Sequence, residues 1–150
     1  MAATLPEDLP PGTILLHRRF YADGNGELKS KYLVLLAPMR GGDAVVRLLT
    51  SQHAGIRPEQ PPCFHGDPYP GFYFGVLDAS QGLGKKSWLD LRGLEDADGA
   101  ELVRLMDAGV VSAVMVLPME TLRAALECTA GADDTTRVQE QALRDQLTVL

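Results

Sequence analysis

The first fifty positions alternate between short apolar blocks and glycine-rich breaks. Thr13-Ile14-Leu15-Leu16-His17-Arg18-Arg19-Phe20 reads as a strand rich in branched and aromatic side chains. Asp23-Gly24-Asn25-Gly26 predicts a turn, because Asn and Gly tolerate positive φ. Residues 31–37 predict a second strand, Arg40-Gly41-Gly42-Asp43 a second turn, and 44–50 a third strand. Together they predict a β-meander. Lys31 opens the second strand and Thr50 closes the third. Consecutive antiparallel strands run in opposite directions, so those two ends lie close together and bring a cation and a hydroxyl onto one surface.

Residues 53–71 contain Pro58, Pro61, Pro62, Pro68 and Pro70, a density at which no regular element is expected. A loop of this length is either functional or an insertion without chemistry. Phe72–Leu77 and Ser87–Leu91 predict further strands. Asp96 and Asp98 precede a short amphipathic helix over 100–106, which Gly109 stops. Residues 110–117 predict a last strand. Pro118 then sits where a helix can start, with Leu122 and Leu126 on one face of 119–127. Asp133-Asp134 is expected to cap a final helix over 135–148. Its apolar stripe is thin (Val138, Ala142 and Leu147), which suggests a surface appendage or partner-binding segment.

The chain has 150 residues and is 45% hydrophobic, enough for one domain with a sizeable core. A formal charge of -6 argues against a broadly basic nucleic-acid coat but leaves room for a local basic groove. No apolar run is long enough for a membrane span. The N-terminal stretch Met1–Asp8 lacks the basic start and apolar core of a signal peptide, so a cytoplasmic protein is expected. Two cysteines, Cys63 and Cys128, are too few for a disulfide scaffold and are expected to be buried or incidental thiols. Cys63-x-His65, with His53 upstream, hints at a metal. A structural zinc site needs about four spaced ligands, so no metal is expected.

Strands early and helices late predict an α+β, mainly β fold: a small SH3-like, partly open barrel of five to six antiparallel strands with C-terminal helices. The barrel domain is placed at 1–130 and the helical appendage at 131–150.

This layout resembles the MazF/PemK family of toxins from toxin–antitoxin pairs. Pro11-Gly12-Thr13-Ile14-Leu15 is similar to the family's opening strand entry. The segment from Gly24 to Lys31 resembles its first strand-to-strand loop. Lys31-Tyr32-Leu33-Val34-Leu35 sits where the family has Arg-Pro and an apolar strand, and Leu49-Thr50-Ser51-Gln52 resembles its strand end, Ile or Leu, then Thr, then Ser or Ala, then Gln. The trailing strand, Pro118 and the helix over 119–128 follow the family's order, so the resemblance covers 11–128.

The resemblance implies a homodimeric, cofactor-independent endoribonuclease with an antitoxin-like partner. Such an enzyme cleaves single-stranded RNA without metal, by attack of a 2′-hydroxyl on the adjacent phosphate. The family's catalytic Thr falls on Thr50 and its Arg on Lys31. Arg19, Lys29, Ser51 and Gln52 are the candidate substrate contacts. Lysine offers a point charge where arginine offers a planar fork, and Lys29, Arg18 and Arg19 are alternative cations. The bland readings are an edge lysine that discourages pairing and a threonine satisfying a strand end. CcdB-type toxins share the barrel and act by binding DNA gyrase, so a non-catalytic interaction module is the alternative function. Phe64, Tyr69, Phe72 and Tyr73 are candidates either for base stacking or for sealing the barrel mouth. Trp88 is expected in the core, with Lys85-Lys86 in a turn. No glycine-rich phosphate loop, Gly-x-Ser-x-Gly or His-Glu-x-x-His motif occurs.

Overall fold

The computed structural model describes residues 9–150. The segment 1–8, read above as lacking the features of a signal peptide, lies outside the described residues. The element order is β1 (Thr13–Ala22), β2 (Leu28–Pro38), β3 (Ala44–Thr50), β4 (Cys63–Phe64), β5 (Gly71–Val76), β6 (Lys86–Asp90), α1 (Gly99–Asp107), β7 (Val111–Val116), α2 (Met119–Ala130) and α3 (Arg137–Thr148). All seven strands join one sheet in the order β4-β5-β6-β3-β2-β1-β7. Every ladder is antiparallel. The fold is α+β and mainly β, an open sheet consistent with a small, partly open barrel. No helix among the described residues is long and apolar enough to cross a membrane.

The meander lies where the apolar blocks place it, with the second strand starting earlier, at Leu28. The proline-rich stretch departs from expectation. Cys63–Phe64 pairs with Gly71–Phe72 and adds an edge strand, because Pro62 leaves both following residues free to join a ladder. The strand count is therefore seven rather than five or six.

Both faces of the sheet are covered, which explains why Leu33-Val34-Leu35-Leu36-Ala37 is continuously apolar rather than alternating. On one face Val34, Leu36, Val45 and Leu89 meet Leu122 and Leu126 of α2 and Leu143 of α3. On the other, Leu15, Leu33, Leu35 and Val46 meet Leu102 of α1, with Leu9 closing the edge. Asp98 caps α1 by accepting from the Glu101 N–H at 3.1 Å. Gly99 lets that helix start against the turn after β2, since a Cβ there would collide with the Gly42 carbonyl.

The final helix is built differently from its expected stripe. Thr136 and Gln139, not Asp133-Asp134, form its capping box. Leu143 and Gln139 are buried, whereas Val138 is 68% exposed. Gln139 accepts from Arg47 Nη2 at 3.0 Å and donates to Asp96 at 2.9 Å. Through these bonds the helix partners one end of the fully buried Arg47 guanidinium of β3, while its Nε is left without a hydrogen-bond partner; burial lowers the Arg47 pKa against the pull of Asp96, Asp134 and Asp90. An apolar-only pattern misses a helix that docks partly through an amide. Truncating the one fully buried apolar side chain on this helix tests the packing. Leu143→Ala is expected to lose about 3 kcal/mol in urea unfolding, at the middle of the range for deleted core leucines. An unchanged midpoint would show that the helix is loosely attached.

The two cysteines correct the expectation of free thiols. Cys63 and Cys128 form a disulfide, with Cα atoms 5.7 Å apart, that ties edge strand β4 to α2. Two cysteines are few for a scaffold, but a short edge strand held by few ladder bonds is where a single tether has most to hold.

Candidate active site

Strand register assembles a row of side chains on the α1-covered face, beyond its apolar part. His17 pairs with Lys31 across β1 and β2. Tyr32 pairs with Leu49 as the outermost pair of β2 and β3, so Lys31 and Thr50 occupy the next positions on those strands. Thr50 pairs with Trp88, and Trp88 with Tyr73. Side chains alternate along each strand, so His17, Lys31, Thr50, Trp88 and Tyr73 share one face. Lys31 and Thr50, the two residues marked by the sequence, are thus neighbours by register.

The chemistry of each member differs. Thr50 Oγ1 accepts from the Gln52 N–H at 3.1 Å, which leaves its own O–H free to donate. Lys31 Nζ lies 5.7 Å from the Tyr21 ring centroid and makes no ion pair among the described residues. His17 Nδ1 accepts from the Arg19 N–H at 3.2 Å, which puts the ring proton on Nε2. Burial lowers the His17 pKa, against a smaller backbone hydrogen-bond effect, so the ring is neutral at neutral pH. A neutral imidazole donor, an ammonium and a hydroxyl donor side by side form a surface suited to phosphate oxygens.

The other candidates divide. Lys29 is committed to Glu27 at 3.2 Å and Asp23 at 3.6 Å. Arg18 is committed to Ser112 and the Gly109 carbonyl. Arg19 is exposed and has no side-chain partner among the described residues. Ser51 and Gln52 are exposed in the loop directly after Thr50. Trp88 is fully buried and donates to the Pro58 carbonyl at 2.9 Å, so it belongs to the core. Phe72 is buried in the core as well, while Tyr73 packs at a tilt on Trp88. Tyr69 stacks on His53 with ring centroids 4.2 Å apart.

A buried ionic cluster holds the loop beside this row, and no local sequence pattern marks it. Arg57 donates through Nε to the Gln52 carbonyl at 3.0 Å, and its Nη2 lies 4.0 Å from Asp90. Asp90 is gripped from the other side by Arg92, through Nη2 at 2.6 Å and Nε at 3.1 Å. Burial alone would raise the Asp90 pKa. The hydrogen bonds and charge of Arg92, with the charge of Arg57, outweigh it and hold the carboxyl below its ordinary value. Arg57 also sits 5.0 Å from the Tyr69 ring centroid. His53, at φ 62°, is the only described non-glycine residue in the left-handed region, and its carbonyl accepts the Ile56 and Arg57 N–H groups. The turn that carries Ser51 and Gln52 is thereby fixed from below.

One group of described residues gathers metal-ligating atoms: Cys63, His65 and Cys128, within 4.8 Å of one another. Cys63 pairs with Phe72, whose side chain joins the core beneath α2, so this cluster lies on the face opposite the row. His53 is not part of it.

No protein-family model, curated protein or solved structure matches this chain. Its function is therefore argued from the site.

Proposed function

We propose that this protein is a metal-independent endoribonuclease of single-stranded RNA, a divergent relative of the MazF/PemK toxins. The observation that carries the reading is the juxtaposition by register of Lys31, inside β2, and Thr50, at the end of β3, with His17 beside Lys31. In the proposed reaction the RNA 2′-oxygen bonds to phosphorus and the bond from phosphorus to the 5′-oxygen breaks. One proton leaves the 2′-hydroxyl and one reaches the 5′-oxygen, giving a 2′,3′-cyclic phosphate and a 5′-hydroxyl with no water consumed. Lys31 and the Thr50 hydroxyl stabilise the charge that builds on the non-bridging oxygens, and His17 Nε2–H adds a neutral donor. Ser51, Gln52 and Arg19 contact the flanking strand, and the stack of exposed His53 on half-buried Tyr69 offers a platform for a base. A homodimer in the cytoplasm, held in check by an antitoxin-like protein, completes the reading.

The test is incubation of the purified chain with a long mixed-sequence RNA in EDTA, with mapping of the ends. Cleavage leaving cyclic phosphate is expected, falling about 100-fold in Lys31→Ala and in Thr50→Ala, as for loss of one oxyanion donor. Absence of cleavage, or cleavage indifferent to both substitutions, would overturn it.

One observation favours a second reading, a partner-binding module without catalysis. A groove of about 660 Å³ runs between α3 and the turn after β2, lined by Met39, Val138 and Val149 among others. Val138 and Val149 are both strongly exposed. An RNA-inert protein would move the assignment there.

A further inference from the structure

We propose that Cys63, His65 and Cys128 form a redox-gated zinc site, in which the disulfide is the closed, metal-free state. His65 Nε2 lies 3.4 Å from Cys63 Sγ and 3.6 Å from Cys128 Sγ. In a tetrahedral zinc site with ordinary bond lengths, a ligating nitrogen and sulfur are about 3.5 Å apart. The imidazole therefore already stands at ligand distance from both sulfurs. The sulfurs need only separate from bonded contact to the spacing of two zinc thiolates. The Cα separation of 5.7 Å leaves room for that by side-chain rotation.

The surroundings fit a site with three protein ligands and one open position. Cys128 is buried, Cys63 half-buried and His65 exposed, so the fourth position faces solvent. Gly131, at the end of α2, accommodates the ring: a Cβ there would come within 3.3 Å of His65 Cε1. His65 Nε2 now lies 2.8 Å from the Cys128 carbonyl and donates to it. Ligation moves that proton to Nδ1 and frees the carbonyl. Two thiolates and an imidazole are a donor set that zinc accepts readily.

The switch balances as a thiol–disulfide exchange. Two zinc-bound thiolates react with a low-molecular-weight disulfide. The Cys63–Cys128 bond forms, the disulfide is reduced to two thiolates, and Zn²⁺ leaves with its charge unchanged. In a thiol-reducing compartment the dithiol form prevails and the site is open. This inference stands on the opposite face from the proposed RNA site and survives or fails independently of it.

The experiment uses the full chain, reduced with a phosphine, desalted without oxygen and titrated with Co²⁺ as the probe. Uptake of one cobalt per chain is expected, with thiolate-to-cobalt charge-transfer absorption that Zn²⁺ displaces and oxidised glutathione abolishes. The oxidised protein should take up none. His65→Ala should still form the disulfide but bind at least about 10-fold more weakly when reduced. If the reduced chain loses its near-ultraviolet circular dichroism, the titration is read as recovery of that signal, and no recovery overturns the proposal. Reduced wild type without charge-transfer absorption would also overturn it, as would His65→Ala binding as tightly as its parent.

Discussion

Asp90→Ala is expected to cost about 3–5 kcal/mol at neutral pH, the penalty for removing one partner of a buried ion pair. The Arg57 side chain is 1% exposed, and among the described residues Asp90, at 4.0 Å, is the one carboxylate that pairs with it. Its Nη1 has no hydrogen-bond partner even in the intact protein. Without the carboxylate, the cation is left buried or must drag the loop into solvent. Because Arg57 Nε holds the Gln52 carbonyl, the second outcome also disorders the turn beside Thr50. Urea unfolding measures the first effect and the RNA assay the second. A double variant, Asp90→Ala with Arg57→Met, should recover much of the stability, since an apolar replacement of a buried pair is often neutral. A single-variant loss below about 1 kcal/mol would show that water reaches Arg57.

The same carboxylate sets an acid limb. Its unfolded pKa is about 3.9 and its folded value lies below that. Between the two values the unfolded chain binds more protons, so stability rises with pH across that window. The contribution is present above the unfolded pKa and is lost as pH falls through the folded one. Asp90→Asn should flatten this part of the stability curve, below the unfolded aspartate pKa.

Breaking the Cys63–Cys128 link is the other large effect. The bridge spans a sequence separation of 65 residues. In the chain-entropy account a loop of that size contributes about 4 kcal/mol by restricting the unfolded state. Reduction, or the Cys63→Ala/Cys128→Ala variant, should therefore lower Tm by about 10 °C for a chain of this size. Loss should begin at β4, which has only two registered pairs with β5 and no other strand neighbour. Hydrogen exchange should show faster exchange over residues 62–72 before the meander changes. A Tm that moves by less than about 2 °C would mean that packing alone holds β4 on the sheet. Zinc added to the reduced wild type, but not to the alanine pair, should restore part of the loss.

Local chemistry alone determined the meander, the cap of α1 and the proximity of Lys31 to Thr50. Each follows from neighbours in the chain. Gly24-Asn25-Gly26 and Gly41-Gly42 can only turn, the blocks between them can only be strands, and adjacent strand ends must then meet. Asp98 announces its helix because a cap acts within one turn. The rest was decided by distances that sequence patterns do not encode. His17 faces Lys31 only because the β1–β2 register shifts between His17 and Tyr21, and a bulge leaves little trace in composition. Arg57 and Asp90 are polar residues that read as surface until the fold buries both. Gln139 docks α3 by hydrogen bonds, which an apolar stripe cannot reveal. Cys63, His65 and Cys128 become one cluster only when an edge strand from a proline-rich loop is laid beside α2. Turns, caps and alternation are short-range and are written in the chain itself. Register, buried charge and cross-links depend on which distant segments come to share a face, and that is a property of the folded whole.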